Sequence, residues 1–458
     1  MSIISKKSFL IYSLMLVLEL IIFILVVRHA GWSLNPYMTG FDTNEYLTIG
    51  RNLVENRIYS KSSEAPFLPN FTRSPGYPFW LAFVYLIFNS FKPAIFLGMI
   101  IFSLSAPLLY LMMREIFSEK LAFWSGVIFA LEPRMAFSAP FLLSEQIFLP
   151  IFLLAVFFAV RFFVHPESKN CILLSAVALG ISAPIRLISL FVWPFMAIFF
   201  FLKLHEKQKT LEVIKTLGIA ILIFISFTLS WSIRNRLVIG SWLPSAIIGT
   251  QLYGYLENLR AYRGIPREKT FQDVLVQSAR SSGDGGWETP QSVDILTKES
   301  LFEIKSNWLN VIKVYVFRVI FFFVIDGYKG IISYITDVKP HFIGFADFFI
   351  KLQFKEISLA FKNFSLSELI LPIFGKFIWL AVTFFSFFGI FISYKKMINY
   401  RPTLIFFSFL ILYFASLTTS VPDMDPRFRM PVNGFLIVFT MVSIFHIFKL
   451  NFKHEQHD

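Results

Sequence analysis

The residues best suited to chemistry follow the first apolar stretch of the chain, between Gly40 and Tyr46. Asp42, Glu45 and Tyr46 are spaced at i, i+3 and i+4, so a helix here would carry two carboxylates and a phenol on one face. A carboxylate in such a place can act as a general base. A second interpretation is that Asp42 is a helix N-cap and Glu45 completes a capping box. A cap does not exclude chemistry, so both interpretations stay open.

Other ionisable residues lie at the ends of apolar stretches, on the side to which the charge pattern assigns the Asp42 segment. Ionisable groups at membrane depth are costly, so a functional role is the default hypothesis for them. Arginine matches phosphate through paired hydrogen bonds, and acids together with arginines at one interface suit a lipid-borne phosphate donor. The set is Asp42, Glu45, Arg73, Glu132, Glu145, Arg186, Arg234, Asn235, Arg427 and Arg429.

Each of these residues also has a structural interpretation. Glu145 can cap the helix that follows it, and Arg73 can bind lipid head groups. Arg186 lies between two apolar stretches and can extend its side chain to the interface. Arg427 and Arg429 stand beside two acids at a helix start, where a structural ion cluster is the alternative to a ligand site.

Composition predicts an all-α polytopic membrane protein. The 458 residues are 56% hydrophobic, and the mean hydropathy is +0.66. Residues 9–27 form a 19-residue apolar run in which Glu19 is the only charge, close to the length needed to cross a bilayer. We interpret this run as a retained span, because no small-residue cleavage site follows it.

The net charge of +13 does not indicate nucleic acid, because the basic residues are scattered and form no stripe or motif. An excess of this kind suits anionic membrane lipids and phosphates. Cys171 is the only cysteine, which excludes an internal disulfide. The seven histidines contain no zinc-hydrolase pattern.

Charge placement predicts ten to twelve spans with both termini in the cytoplasm, since Lys6 and Lys7 precede the first span. We predict one integral membrane domain over residues 1–458, with a first outer loop at about 31–92 and a large outer loop at about 234–307. A helix beginning near Pro75 and ending near Phe88 is too short to span and is predicted at the interface. The interval 308–369 is predicted to hold either a hairpin of spans or interfacial helices. The predicted spans are residues 9–27, 93–113, 121–136, 147–164, 171–185, 187–202, 217–231, 371–393, 403–415 and 432–448.

Five motifs in this order resemble the polytopic glycosyltransferases of the C superfamily, which includes protein O-mannosyltransferases and the aminoarabinose transferase of lipid A. Taken singly each motif is weak, but together they cover most of the chain. They are Asp42 to Tyr46 with Arg51 to Leu53, Arg73 to Pro78, Glu132-Pro133 with Leu143 to Glu145, Trp231 to Asn235, and Arg427 to Pro431.

The resemblance implies that a sugar is carried on a polyprenyl phosphate and that Asp42 is the catalytic base. It also implies that Glu145 orients the acceptor or assists Asp42, and that Arg73 and Arg234 stabilise the leaving phosphate. Arg427 and Arg429, in the last motif, are predicted to bind the same phosphate. Glu45 is a further catalytic candidate, although the mannosyltransferases have adjacent Asp-Glu and here two residues separate Asp42 from Glu45.

The resemblance further implies the partners and the location. The donor is a polyprenyl-phosphate sugar, and the acceptor is lipid A or its core, a cell-surface glycan or a protein. The reaction is expected at the outer, periplasmic side of the cytoplasmic membrane. Some relatives use a divalent metal, which the outer carboxylates would permit and nothing in the sequence requires.

Two other functions compete with this prediction. A secondary transporter would have a similar number of spans, but it typically shows repeated halves and broken midplane helices, which the sequence lacks. A polysaccharide polymerase or ligase with a lipid-diphosphate donor would use arginines as its main catalytic groups. The loss of Asp42 would be tolerated by that enzyme, whereas the loss of outer arginines would not.

Overall fold

The computed structural model describes residues 5–31, 40–205, 210–265, 273, 289–328, 331, 366–420 and 425–453. The regular structure within these residues consists of α-helices and short 3-10 turns, together with one isolated bridge between Phe117 and Lys453. The predicted all-α polytopic fold is confirmed. For residues 308–369 the sequence predicted either a hairpin of spans or interfacial helices. Most of this interval lies outside the described residues.

Seventeen α-helices are described, in chain order. They are α1 (Lys6–Ala30), α2 (Gly40–Glu55), α3 (Gly76–Phe88), α4 (Lys92–Phe102), α5 (Ser105–Arg114), α6 (Glu119–Leu131), α7 (Pro133–Ser138), α8 (Glu145–Val164), α9 (Asn170–Ser182), α10 (Val192–His205), α11 (Thr210–Ile239), α12 (Ile247–Tyr262), α13 (Pro290–Ser306), α14 (Trp308–Val324), α15 (Leu366–Lys396), α16 (Arg401–Thr418) and α17 (Met430–Ile447).

Eight helical stretches within the described residues are long and apolar enough to cross a membrane, or nine if α13 and α14 are one span bent by 98°. The chain is therefore a multi-pass membrane protein. Two of the predicted spans coincide with α6 and α9, which have 13 residues each. At 1.5 Å per residue such a helix is roughly 20 Å long, shorter than the hydrocarbon core.

The centre of the bundle is α17, the most enclosed of the spans. It crosses α15 closely at Gly389, where an added Cβ would clash with the carbonyl oxygen of Phe439. Small residues at helix crossings allow this approach in membrane proteins. The crossing places the start of α17, and the arginines just before it, against the rest of the bundle.

The segments predicted to be cytoplasmic meet at one end of the bundle. Lys7 Nζ lies 2.7 Å from Glu119 Oε1, and His165 Nε2 lies 3.1 Å from Glu115 Oε2. The amide of Ser118 donates to the carbonyl of Phe452 at 3.0 Å, which brings the last described residues to this end. We call it the Lys7 end, and the opposite end the Asp42 end.

Two helices of the segment predicted as the first outer loop shape the Asp42 end. The helix α2 begins at Gly40 and carries Asp42 in its first turn, so Asp42 is not its N-cap. The predicted short helix is α3, which begins at Gly76. Gly76 donates its amide to the carbonyl of Pro184 at 2.8 Å, and an added Cβ would collide with Pro184 and Ile185. This close approach holds the segment of Arg73 against the segment of Arg186.

Candidate active site

The face of α2 that carries Asp42 and Glu45 is turned toward Arg73. Arg73 Nη2 lies 2.7 Å from Asp42 Oδ1, and Arg73 Nε pairs with Glu45 Oε2. The two carboxylates therefore share one helix face, as their spacing predicts. Tyr46 lies on the same face, and its ring packs 5.4 Å from the Arg73 guanidinium carbon.

Arg73 is held in place through its backbone. Its amide donates to Asn70 Oδ1 at 2.8 Å, and its carbonyl accepts from the Tyr59 hydroxyl at 2.9 Å. The neighbouring carbonyl of Phe71 accepts from the amide of Ala246 at 3.0 Å. The residue just before α12 thus binds the segment of Arg73, which joins the two segments predicted as outer loops.

Arg234, near the end of α11, supports the same loop. Its Nη1 donates to the carbonyl of Asn70 at 3.2 Å and to Asn235 Oδ1 at 2.9 Å. Its guanidinium carbon lies 4.9 Å from the ring centre of Trp231 and 5.5 Å from that of Tyr59. These contacts place Arg234 behind the loop that carries Arg73, and its binding of phosphate stays a prediction.

Glu145 lies at the start of α8, and its side chain is only 6% exposed. It pairs with Arg186 Nη1, and its Oε1 lies 3.9 Å from Arg427 Nε. Arg427 also reaches Asp42, with 3.4 Å between Nη2 and Oδ2. Arg427, in the turn before α17, thus connects Glu145 of α8 to Asp42 of α2, and Arg186 binds the same Glu145.

Seven side chains form a continuous series of alternating charge, which we call the charge chain. Its remaining link is Lys61, whose Nζ lies 3.1 Å from Glu45 Oε1. The order is Lys61, Glu45, Arg73, Asp42, Arg427, Glu145 and Arg186. Four cations face three anions, so the chain has one positive charge in excess and favours an anionic ligand.

Burial and neighbouring charge adjust the groups around the acids. Burial lowers the pKa of Arg73, but the nearby Tyr46, Asp42 and Glu45 outweigh it and raise that pKa above its ordinary value. For the Tyr46 phenol, burial has the opposite effect and raises the pKa above its ordinary value. Arg73 is therefore a permanent cation, and Tyr46 is neutral at physiological pH.

A narrow crevice opens beside Arg427 and Arg186. Its polar end is formed by these two arginines and Glu145, and its walls are apolar. The wall residues are Phe148, Leu149, Ile188, Phe414, Phe428, Met430 and Pro431. The crevice has a volume of about 10 Å³, room for about one water molecule, so an amphiphile with an anionic head could enter only if these side chains moved apart.

Arg429 does not join the charge chain. Its side chain is buried, and its Nη1 donates to the carbonyls of Phe322 and Phe323 at 2.8 and 2.9 Å. Its guanidinium carbon stands 3.6 Å from the ring centre of Trp379. The predicted phosphate contact finds no support here, because backbone carbonyls already occupy these donors.

Glu132 likewise has structural contacts. One oxygen accepts from the amide of Met135 at 2.7 Å, which caps α7, and the other accepts from the Tyr328 hydroxyl at 3.1 Å. It therefore serves as a cap in this structure, as N-cap carboxylates commonly do.

The charge chain contains Arg186, which the sequence analysis named as a candidate without assigning it to the base or the phosphate, and Lys61, which it did not name. Arg186 had a detectable signal, since it is a charge between two apolar stretches. Lys61 had none, because it lies in an ordinary polar loop. Its place depends on how that loop folds back over α2.

In the part of the chain that the structure describes, no three His, Cys, Asp or Glu side chains are grouped as metal ligands. The acids of the charge chain face guanidinium or ammonium groups instead. A divalent ion would have to displace one of these cations from Asp42 or Glu145.

Comparison with known proteins bears on the class of protein. Residues 72–231 match the sequence model of the dolichyl-phosphate-mannose-protein mannosyltransferase family. The predicted resemblance to polytopic glycosyltransferases is confirmed. The family's description names a dolichyl-phosphate sugar, which belongs to the class of donor that the resemblance implies.

The segment that matches this glycosyltransferase family is less than half of the chain. It includes Arg73, Glu145 and Arg186, whereas Asp42, Arg234 and Arg427 lie outside it. No curated protein sequence matches the chain significantly.

Among solved structures, the chain is similar to the archaeal oligosaccharyltransferase AglB from Archaeoglobus fulgidus, solved with an inhibitory peptide and a dolichol-phosphate. The sequence identity is 14% and the TM-score is 0.47, with 95% of this chain and 50% of that chain covered. The glycosyltransferase-like chain thus spans half the length of that protein.

Proposed function

We propose that the protein transfers a sugar from a polyprenyl phosphate to an acceptor hydroxyl, with Asp42 as the general base. The observation that carries the proposal is that Asp42 lies between Arg73 and Arg427 in the charge chain. The match to a family whose donor is a dolichyl-phosphate sugar supports the choice of donor.

Asp42 is the acid best placed to meet an acceptor. Its side chain is 32% exposed, whereas those of Glu45 and Glu145 are 24% and 6% exposed. One oxygen is held by Arg73 at 2.7 Å, and the other is 3.4 Å from Arg427, which is a long contact. The second oxygen therefore has a lone pair available for the proton of an acceptor hydroxyl.

Arg427 and Arg186 are assigned to the phosphate of the donor. As the acceptor oxygen forms its bond to the sugar C1, the C1–O bond to phosphate breaks and its electron pair stays on the phosphate. The acceptor's proton passes to Asp42. The phosphate gains a negative charge in this step, so cations beside it stabilise the transition state more than the bound donor.

The apolar walls of the crevice suit the polyprenyl chain. Phe148, Phe414 and Met430 line it directly beside the two arginines. Because the crevice has a volume of only about 10 Å³, a lipid that places its phosphate at Arg427 would have to part these side chains before its first isoprene units could pack against them. This places C1 of the sugar near Asp42, which contacts the same arginine.

Glu145 and Glu45 have supporting roles in this proposal. Glu145 is nearly buried and faces both Arg186 and Arg427, so it holds the two cations at one place. Glu45 bridges Arg73 and Lys61. Each acid compensates cations that would otherwise repel one another.

We place the reaction at the outer side of the cytoplasmic membrane, because the Lys7 end has the basic segments that favour the cytoplasm. The acceptor is a hydroxyl of lipid A or its core, a cell-surface glycan or a protein. Comparing surface glycans and glycolipids of cells with and without the protein would distinguish these acceptors.

The test is sugar transfer in membranes supplied with a labelled polyprenyl-phosphate sugar. Asp42→Asn keeps the size of the side chain and removes the base, so transfer should fall by about 10²–10⁴-fold. Donor binding should be retained, since the two phosphate arginines are intact. Glu55→Gln, at the other end of α2, is the matched control and should transfer at the parent rate.

Transfer by Asp42→Asn near the parent rate would exclude Asp42 as base. If Asp42→Asn kept transfer and Arg427→Ala lost it, the protein would be better interpreted as a polymerase or ligase that uses a lipid-diphosphate donor. Uptake of a solute with no glycan product would favour the transporter.

A further inference from the structure

Arg427 lies in a four-residue 3-10 turn, Pro426–Arg429, that connects to α17. We infer that Arg429 is a positioning residue. It holds the backbone of the turn so that the Arg427 side chain reaches Asp42 and Glu145. The effect on sugar transfer rests on the proposed function, whereas the effect on the turn does not.

Arg429 anchors the C-terminal end of the turn to three helices. Its Nη1 and Nη2 donate to the last carbonyls of α14 and the residue after it, with Nη2 2.6 Å from the Ile325 oxygen. Its Nε donates to Asn433 of α17 at 2.9 Å, and Trp379 of α15 stacks on its guanidinium. Cations satisfy the free carbonyls at a helix C-terminus, so this anchor is strong.

The other end of the turn is also held. Asp425 Oδ1 accepts from the Arg427 amide at 2.8 Å and from Arg134 Nη2 at 3.1 Å. The backbone of Arg427 is therefore fixed on both sides. Its side chain then extends to Asp42 and Glu145.

The contacts that Arg427 makes are sensitive to small movements. It lies 3.4 Å from Asp42 and 3.9 Å from Glu145, at the long limit of ion pairing. All described hydrogen bonds of Arg429 go to α14, Ile325 and Asn433, so its influence on the charge chain must pass through Arg427. A shift of about 1 Å in such a group can cost about 10²-fold in rate.

A double-mutant cycle tests this dependence. Arg429→Lys keeps the charge but cannot serve several carbonyls at once, and it should lower the transfer rate by about 10- to 100-fold. In the Arg427→Ala background the same change should have no further effect, because the group that it positions is gone. An undiminished loss in that background would overturn the inference.

Arg318 provides the matched control. It is a buried arginine of α14 that also donates to a carbonyl, that of Thr419 at 2.7 Å, and to Asn258 at 2.9 Å. Arg318→Lys can lower the transfer rate only by destabilising the protein. The fold-loss of transfer rate should therefore be the same in the parent and in the Arg427→Ala background. A merely structural Arg429 would behave in the same additive way.

A labelling experiment tests the turn without any enzyme assay. Cys171 is the only cysteine, so Cys171→Ser with Arg427→Cys gives a single reporter thiol in the turn. Adding Arg429→Lys should speed maleimide labelling by about tenfold, since a released turn opens more often. Arg318→Lys should leave the labelling rate unchanged.

Equal rates of maleimide labelling with and without Arg429→Lys would contradict the inference that Arg429 anchors the turn. If Arg429→Lys does not fold, Arg134→Gln releases the other end of the turn and should give the same acceleration. A parent protein that transfers no sugar would contradict the proposed function and leave the labelling result interpretable.

Discussion

Lys7 and Glu119 form an ion pair at one end of the bundle with side chains that are 50% and 53% exposed, while at the other end Glu145 is 6% exposed and faces two arginines. Both ends pair acidic with basic side chains. The contacts of the Lys7 end stay in small groups, such as Lys7 with Glu119, and His165 with Glu115 and Glu167. Those of the Asp42 end are joined into one chain.

The difference shows that burial and connection, more than composition, decide what charged residues do. An ion pair in water contributes little, because solvent screens it and both side chains lose freedom. Charges enclosed by protein interact more strongly, and each holds its neighbours in place. The Lys7 end can therefore mark topology, whereas the Asp42 end can orient a substrate.

The largest expected effect is that of Arg427→Ala. Removing a cation aimed at the leaving phosphate should lower kcat/KM for transfer by about 10²–10³-fold. Arg427→Lys keeps the positive charge but loses the paired donors of the guanidinium. Its kcat/KM should lie between those of Arg427→Ala and the parent. The measurement is the initial rate of transfer at several donor concentrations.

Arg401→Ala at the Lys7 end is the control for that prediction. Arg401 also stacks on a ring, 4.7 Å from the centre of Tyr394, but it has no link to the charge chain in the described structure. Its transfer rate should equal that of the parent. Equal losses in the two variants would mean that the two ends do not differ in function.

Glu145→Gln should mainly affect stability. The amide leaves Arg186 and Arg427 close together without their shared anion, and breaking a buried pair costs about 3 kcal/mol. The apparent unfolding temperature of the purified protein in detergent should fall. Glu167→Gln, on a side chain that is 72% exposed at the Lys7 end, should leave it unchanged.

The smallest effect is expected for Lys7→Ala. An exposed ion pair contributes about 1 kcal/mol or less, so both the unfolding temperature and the transfer rate should stay near the parent values. A large loss of transfer with unchanged membrane insertion would show that the Lys7 end takes part in the reaction. The comparison between the two ends would then fail.

Much of the fold follows from local pattern. The apolar runs at 9–27, 147–164 and 432–448 correspond to α1, α8 and α17, because a run of this length has few alternatives to a helix in lipid. The runs at 121–136 and 171–185 correspond to the shorter helices α6 and α9. Their ends depend on neighbours, since tertiary contacts decide where a helix stops.

The site was predictable only in part. The spacing of Asp42 and Glu45 indicates a shared face, because helix periodicity is local. That Arg427 and Arg429 differ could not be predicted, since both stand in one Arg-Phe-Arg motif. One turns toward α2 and the other toward α14, and the turn between Asp425 and Met430 decides which.

The sequence by itself determined that this is a helical, multi-pass membrane protein with acids and arginines at the ends of its spans, because hydrophobic length and charge placement act locally. Only the tertiary structure decided that Asp42, Arg427, Glu145 and Arg186 form one chain and that Arg429 is buried behind it. The contact between Asp42 and Arg427 joins residues 385 positions apart. Such contacts form only when α2, α8 and α17 pack together, since ion pairing needs distances of a few ångströms that no local pattern encodes.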